Sequence, residues 1–308
     1  MRDKSTAIES GPVALSGLGW AGLAVVAFSG TVPATVLALR DMDPLVVGAG
    51  RSVLAALLAM GALLAGRAAL PRRSQLQALL LVALGCGIGF GVLSAIALRD
   101  VSASHAAVLI GLLPMATAAA AVVRGGERAS PLFWLANAAG SVAVVAYAWS
   151  DGVGSVRVAD GLLLLALVIA AVGYAEGGRL AREMPGWQVI AWGVVFALPV
   201  SAPLTGIALA TSTVRVGAAS LGGFVYVGTV SMFVGFFAWY HGLARAGVTR
   251  GSQLQLLQPF LTLVWAALIL GDHPGIAAPL TATVVLVCVA VAQRARFSLS
   301  VRPVTPPA

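Results

Sequence analysis

Charge is scarce in this sequence. Asp, Glu, Lys and Arg make up 10% of its 308 residues, against roughly 25% in soluble domains. So few charges can neither coat a water-exposed surface nor keep a chain unfolded, which excludes a cytosolic enzyme and a disordered regulator. Cysteine is nearly absent too. Cys86 and Cys288 are the only two, and both sit in apolar runs, where a thiol behaves as a small hydrophobe. That excludes a secreted disulfide scaffold. Lysine occurs once, as Lys4, so the formal charge of +8 comes from arginines scattered singly or in pairs. A nucleic-acid partner needs cations clustered on one face, and none is expected here. The outer acids Asp41, Asp43, Asp100, Asp151, Asp160 and Asp272 are dispersed over separate loops. They offer no cluster for metal or phosphate chemistry, so no metal, no cofactor and no catalytic residues are expected, and an integral membrane enzyme acting on lipid phosphates is a remote alternative.

What fills the sequence instead is apolar: 59% of residues are hydrophobic and the mean hydropathy is +0.97. A membrane-spanning helix needs about 20 mostly apolar residues. Eight runs free of Asp, Glu, Lys and Arg reach 21 residues or more: Ser10–Leu39, Ser74–Leu98, Val101–Val123, Ala129–Ser150, Met184–Val214, Val216–Ala244, Gly251–Gly271 and His273–Gln293. Two more appear when one charge each is tolerated, Leu45–Gly66 with Arg51 and Gly161–Gly178 with Glu176. Lipid offers no partner for an unpaired backbone group, and a barrel would show shorter, alternating segments. The expectation is an all-α integral membrane protein of ten transmembrane helices. Met1–Gly11 is polar and the run after it is too long for a signal sequence.

The cations set an orientation. One side would hold Arg2, Lys4, Arg67, Arg72, Arg73, Arg124, Arg128, Arg179, Arg182, Arg245, Arg250, Arg294, Arg296 and Arg302. The other would hold only Arg40, Arg99, Arg157 and Arg215. Fourteen against four puts both termini in the cytoplasm by the positive-inside rule. The chain then divides into a cytoplasmic N-terminus (1–13), two five-helix units (14–150 and 160–294) and a cytoplasmic tail (295–308).

Those two units resemble each other. Leu98–Glu127 lies without gaps over Leu243–Asp272, matching Leu109 with Leu254, Leu112 with Leu257, Pro114 with Pro259, Thr117 with Thr262 and Gly126 with Gly271. Because five is odd, equivalent helices run in opposite directions. The hairpin after Pro114 is basic, with Arg124 and Arg128, whereas Asp272–His273 after Pro259 has no arginine. Inverted repeats around a midplane site are the architecture of secondary transporters.

The stretches ALRDVSASHAAVLIGLLPMATAAAAVVRGGE and GLARAGVTRGSQLQLLQPFLTLVWAALILGD resemble the drug/metabolite transporter superfamily in its EamA-type branch. Arg51, early in the second helix, fits the same pattern. The resemblance covers Ala14 to Arg294 and implies a ten-helix carrier of two inverted five-helix repeats. Within the superfamily the chain looks most like amino-acid exporters of the YddG type, with His105 and Phe90 at matching positions. That implies export of amino acids, neutral or aromatic, or related small metabolites across the inner membrane by a monomer. A proton-coupled drug-efflux carrier of the same superfamily is the alternative.

Polar groups inside a membrane mark candidate sites. Pro114 and Pro259 remove mid-span backbone donors; Gln255 and Gln258 stand just before the second of these. Phe28, Phe90 and Tyr174, with Ser94, Ser231 and Thr262, complete the candidate pathway, a neutral lining suited to zwitterions. Gating or positioning roles fall to Arg51, His105, Glu176, Gly89 and Gly235. Arg51 is expected to snorkel outward or pair with Asp41 or Asp43, His105 to sit at the outer mouth, and Glu176 to pair with Arg179 at i,i+3. No deep carboxylate is expected, which favours facilitated diffusion or exchange over proton coupling. The run Gly85–Gly91 superficially resembles a nucleotide loop, but with no strand before it the residues fit close helix packing instead.

Overall fold

A computed structural model describes residues 12–125, 130–151, 157–213, 216–246 and 254–297. The two tails, Gly126 and Glu127 of the first repeat motif, and Gln253 lie outside the described residues. Long apolar runs can satisfy their backbone in lipid only by bonding to themselves, and every regular element among the described residues is helical. Eight helices are long and apolar enough to cross a membrane: α1 (Ser16–Ala38), α2 (Pro44–Ala65), α3 (Arg73–Ala97), α4 (Ala103–Arg124), α5 (Pro131–Ser150), α6 (Val158–Leu180), α7 (Gly186–Thr211) and α8 (Ala218–Gly242). Two shorter apolar helices follow, α9 (Gln255–Leu270) and α10 (Ala277–Ala292).

Local chemistry sets the helix ends. Asp43 caps α2, its Oδ1 accepting from the Leu45 N–H at 2.8 Å with Pro44 in the first turn, an arrangement that satisfies a donor the helix cannot. Ser102 caps α4 through the His105 N–H at 3.1 Å. Gly271, at φ 68°, closes α9 in the left-handed conformation that glycine adopts without strain.

Several helices are irregular in mid-span. In α1 the helix breaks at Gly30. Pro33 has no N–H to offer the Ser29 carbonyl four residues back; the Thr262 hydroxyl of α9 donates to that carbonyl instead, at 2.9 Å. The α3 and α8 helices widen into π-helical turns at Ala83–Gly89 and Tyr226–Gly235. The α4 helix loosens at residues 111–112, just ahead of Pro114, and Gln255–Leu257 tightens to a 3₁₀ turn ahead of Pro259.

The helices bury polarity and expose hydrocarbon. Arg51, Ser52, His105, Asp160, Glu176 and Thr262 are buried, while Leu23, Leu57, Leu64, Leu135 and Val142 are exposed. That inversion of a soluble core suits a lipid surround. The α2 helix packs on α7, α1 on α8, α3 on α6, α5 on α10, and α4 on both α6 and α9, with α1 also touching α9.

Two expectations about placement are corrected here. Asp160 is not in a loop. Helix α6 begins at Val158, so Asp160 falls in its first turn and is fully buried. His105 is likewise not at an open mouth: it is fully buried, with Nε2 2.6 Å from Asp160 Oδ1.

Candidate functional site

A cavity opens where α1, α2, α3, α4, α6, α8 and α9 converge, lined among others by Phe28, Thr31, Arg51, Cys86, Phe90, Tyr174, Ser231, Phe236 and Gln258. Each irregularity described above feeds it. The break in α1 leaves Thr31 to bond Ser231 across to α8, oxygen to oxygen 2.6 Å. The π-helical turn in α3 carries Cys86 and the one in α8 carries Ser231; such widened turns are frequent at functional positions. Beyond Thr262, the Trp265 Nε1–H donates to Ser29 Oγ at 3.0 Å and the Tyr226 hydroxyl to the Ala27 carbonyl at 3.1 Å. Side chains of α8 and α9 therefore hold the break in α1 open.

Aromatic rings form one wall. Phe28 meets Phe236 edge-on at 5.0 Å between centroids, and Tyr174 stands 5.4 Å from Phe236, within the range where ring quadrupoles attract. Facing them, the Arg51 guanidinium carbon lies 5.7 Å from the Phe90 ring centre. Arg51 neither snorkels nor pairs with Asp41 or Asp43, which corrects the expectation. Asp41 accepts from Ser220 at 2.6 Å and Asp43 caps its own helix. Arg51 itself is 4% exposed, and its Nε and Nη1 have no hydrogen-bond partner among the described residues.

A smaller hollow adjoins, lined by Pro114, Gln255, Gln258, Pro259 and Thr262 with Val32 and Ile110. Gln258 belongs to both spaces, and the buried Nε2 of Gln255 has no partner among the described residues. Of the ten pathway candidates, then, all but Ser94 line one space or the other. Ser94 is corrected: its hydroxyl donates to the Phe90 carbonyl of its own helix, so it faces inward without reaching the cavity. Sequence reasoning missed Thr31, Cys86 and Phe236. A hydroxyl or thiol within two turns of a glycine-rich or proline-bearing mid-span segment was the signal available.

Gly89 and Gly235 sit at contacts. A Cβ on Gly89 would collide with Ile169 of α6, and one on Gly235 would lie 2.9 Å from the Phe28 ring. The larger cavity is small, about 40 Å³, whereas ligand pockets run to roughly 300–1,000 Å³. This conformer leaves the site narrow.

Polar side-chain pairs fasten the parallel helices α4 and α6 at both ends. At one end His105 meets Asp160, whose Oδ2 also accepts from the Arg157 N–H at 2.8 Å. At the other, Glu176 pairs with Arg124 and, as expected at i,i+3, with Arg179 at 3.1 Å. Among the described residues no group of three or more His, Cys, Asp or Glu is placed to hold a metal ion.

A membrane-sized bundle with a narrow hollow of mixed polarity at its centre is the shape of a carrier, and comparison with known proteins agrees. The model of the EamA-like transporter family matches residues 15–149 and again residues 157–293. The chain belongs to the EamA-like transporter family. It is a multi-pass membrane transporter for a small-molecule substrate. A relative named "Uncharacterized transporter YdeK", from Bacillus subtilis (strain 168), is 44% identical over 278 residues, covering 90% of this chain and 97% of the relative. A solved structure titled only "Crystal structure of protein" superposes with a TM-score of 0.63 at 20% identity, covering 90% of this chain and 98% of the other. At that identity the likeness concerns the fold alone.

Proposed function

We propose that this EamA-family member is a secondary transporter that exports amino acids, neutral or aromatic, and related small metabolites across the cytoplasmic membrane. It works by alternating access, with facilitated diffusion or exchange supplying the drive. The observation that carries the reading is the central cavity, with aromatic rings on one wall and hydroxyl and amide groups beside them. Its lining holds no Asp, Glu or His, so no carboxylate or imidazole side chain meets the substrate directly. Phe28, Phe90, Tyr174, Ser231 and Gln258 would contact it, while Pro114, Gln255, Pro259 and Thr262 would line its path. Gly89 and Gly235 let α3 and α8 slide at close range, and His105 and Glu176 latch the ends of α4.

The same reading takes the chain as ten spans in two inverted five-helix repeats (14–150 and 160–294). Shifting each helix by five maps the most extensive contacts onto one another: α1 on α8 becomes α6 on α3, α1 on α9 becomes α6 on α4, and the α2–α7, α4–α9 and α5–α10 pairs map to themselves. The family model matching each half once points the same way. With the arginine bias, both termini face the cytoplasm, and a single chain encloses the pathway as a monomer.

A second reading is favoured by one observation. The His105–Asp160 pair puts a buried carboxylate in the first turn of a span, and buried His and Asp groups serve as proton relays in carriers. It makes the chain a proton-coupled efflux carrier. Counterflow of labelled amino acids into proteoliposomes, with and without a pH gradient, separates the two. Gradient-independent counterflow is expected; strict dependence on the gradient selects the proton-coupled reading, and no flux of any amino acid overturns the substrate assignment.

A further inference from the structure

Arg51 is the one charged side chain among the residues lining either space. It comes from α2, is almost completely buried, and offers two N–H-bearing nitrogens, Nε and Nη1, that nothing among the described residues accepts from. The contact with Phe90 at 5.7 Å is an attraction to a ring face, not a replacement for lost water. A buried cation without an anionic partner is among the costliest arrangements a fold can hold. Room for it is made on purpose: a Cβ on Gly91 would stand 2.9 Å from Arg51 Nε.

We infer that the cavity selects its substrate by a single carboxylate held on Arg51, and that the substrate needs no ammonium group. This rests on the cavity being the transport site. A guanidinium with free donors matches a carboxylate in geometry and charge. A phosphate carrying two charges would want a second cation, and the lining has none. An amine without a carboxylate is repelled by Arg51. For an amino acid, the ammonium finds no acidic side chain in the lining; it is left to Gln258, Thr31 and the aromatic faces. The aromatic wall of Phe28, Tyr174 and Phe236 then takes the apolar body. Aromatic and branched monocarboxylic acids lacking the amino group are therefore substrates alongside the amino acids.

Three matched probes test this on the purified, reconstituted protein: L-phenylalanine, 3-phenylpropionate (no ammonium) and phenethylamine (no carboxylate). Ligand-induced thermal shift in detergent and uptake into proteoliposomes are both read. Phenylalanine and 3-phenylpropionate should shift and be taken up; phenethylamine should do neither. Arg51→Gln should weaken the response to both carboxylates roughly ten- to a hundredfold, the loss expected when a charged hydrogen-bond partner goes. Its Tm without ligand should stay level or rise, because an unpaired buried charge has been removed. Arg51→Lys should keep part of the response. The inference is overturned by phenethylamine matching the carboxylates, by an unchanged response in Arg51→Gln, by no response to 3-phenylpropionate, or by a lower ligand-free Tm for Arg51→Gln, which would make Arg51 structural. Uptake of 3-phenylpropionate with no counterflow of any amino acid leaves the inference standing and removes the amino-acid reading instead. Counterflow of amino acids with 3-phenylpropionate ignored does the reverse.

Discussion

A missing Cβ shapes the cavity as much as any side chain does. Gly48 of α2 and Gly91 of α3 touch backbone to backbone, so that a Cβ on Gly91 would lie 2.7 Å from the Gly48 carbonyl as well as against Arg51. The carbonyl cannot move aside as a flexible side chain would. Gly91→Ala should therefore cost about 1–3 kcal/mol, the range for overpacking, and should push Arg51 out of place. Thermal denaturation reads the first effect, and a weakened response to 3-phenylpropionate reads the second. Arg51 itself was visible in the sequence as a lone charge in an apolar run. Its role was not, because acids stood close by in sequence and only the packing shows that Asp41 and Asp43 are engaged elsewhere. Phe28, Phe90 and Tyr174 were legible as mid-span aromatics. Ser94 was equally mid-span, yet its hydroxyl is taken by its own helix, a choice that composition cannot reveal.

At the scale of helices, α4 and α6 are fastened at both ends, and the two fastenings differ in kind. His105 and Asp160 are both fully buried. Arg124 and Arg179 leave 41% and 47% of their side chains exposed beside a buried Glu176. Exposed pairs contribute about 0–1 kcal/mol, whereas stranding one member of a buried pair costs roughly 3–5 kcal/mol. His105→Ala should accordingly lower stability far more than Arg179→Ala. The double replacement His105→Leu with Asp160→Asn should recover much of the loss, since it removes the stranded charge and keeps an acceptor for the Arg157 N–H. Denaturation midpoints of the three variants check this ordering, and equal losses for His105→Ala and Arg179→Ala would contradict it. The helices themselves were readable from apolar run length, and the irregular turns of α4 and α9 from their prolines. The π-helical turns of α3 and α8 and the break in α1 were not. Pro33 marked a freed carbonyl, but nothing local said that Thr262, more than two hundred residues away, would take it.

For the molecule as a whole, the orientation rests on arginines at the ends of helices. Arg40 and Arg182 are both exposed and fall on opposite sides of the proposed topology. A membrane-impermeant maleimide should label Arg40→Cys in intact cells and Arg182→Cys only after permeabilisation; the reverse pattern would invert the topology. The native thiols interfere little, Cys86 being buried and Cys288 partly so. Length of apolar run, arginine bias and the matched proline helices were enough, by sequence alone, to establish a helical membrane transporter and to expect its repeat, because the bilayer imposes one thickness and one backbone solution on every span. Which polar groups meet each other was decided only in three dimensions. His105 finds Asp160, Thr31 finds Ser231, and Arg51 Nε and Nη1 find no hydrogen-bond partner among the described residues. Pairing between helices depends on rotation and register, to which a hydrophobic run is indifferent. The charge so scarce in this sequence is therefore most informative at Arg51, where packing brings a buried cation to the cavity.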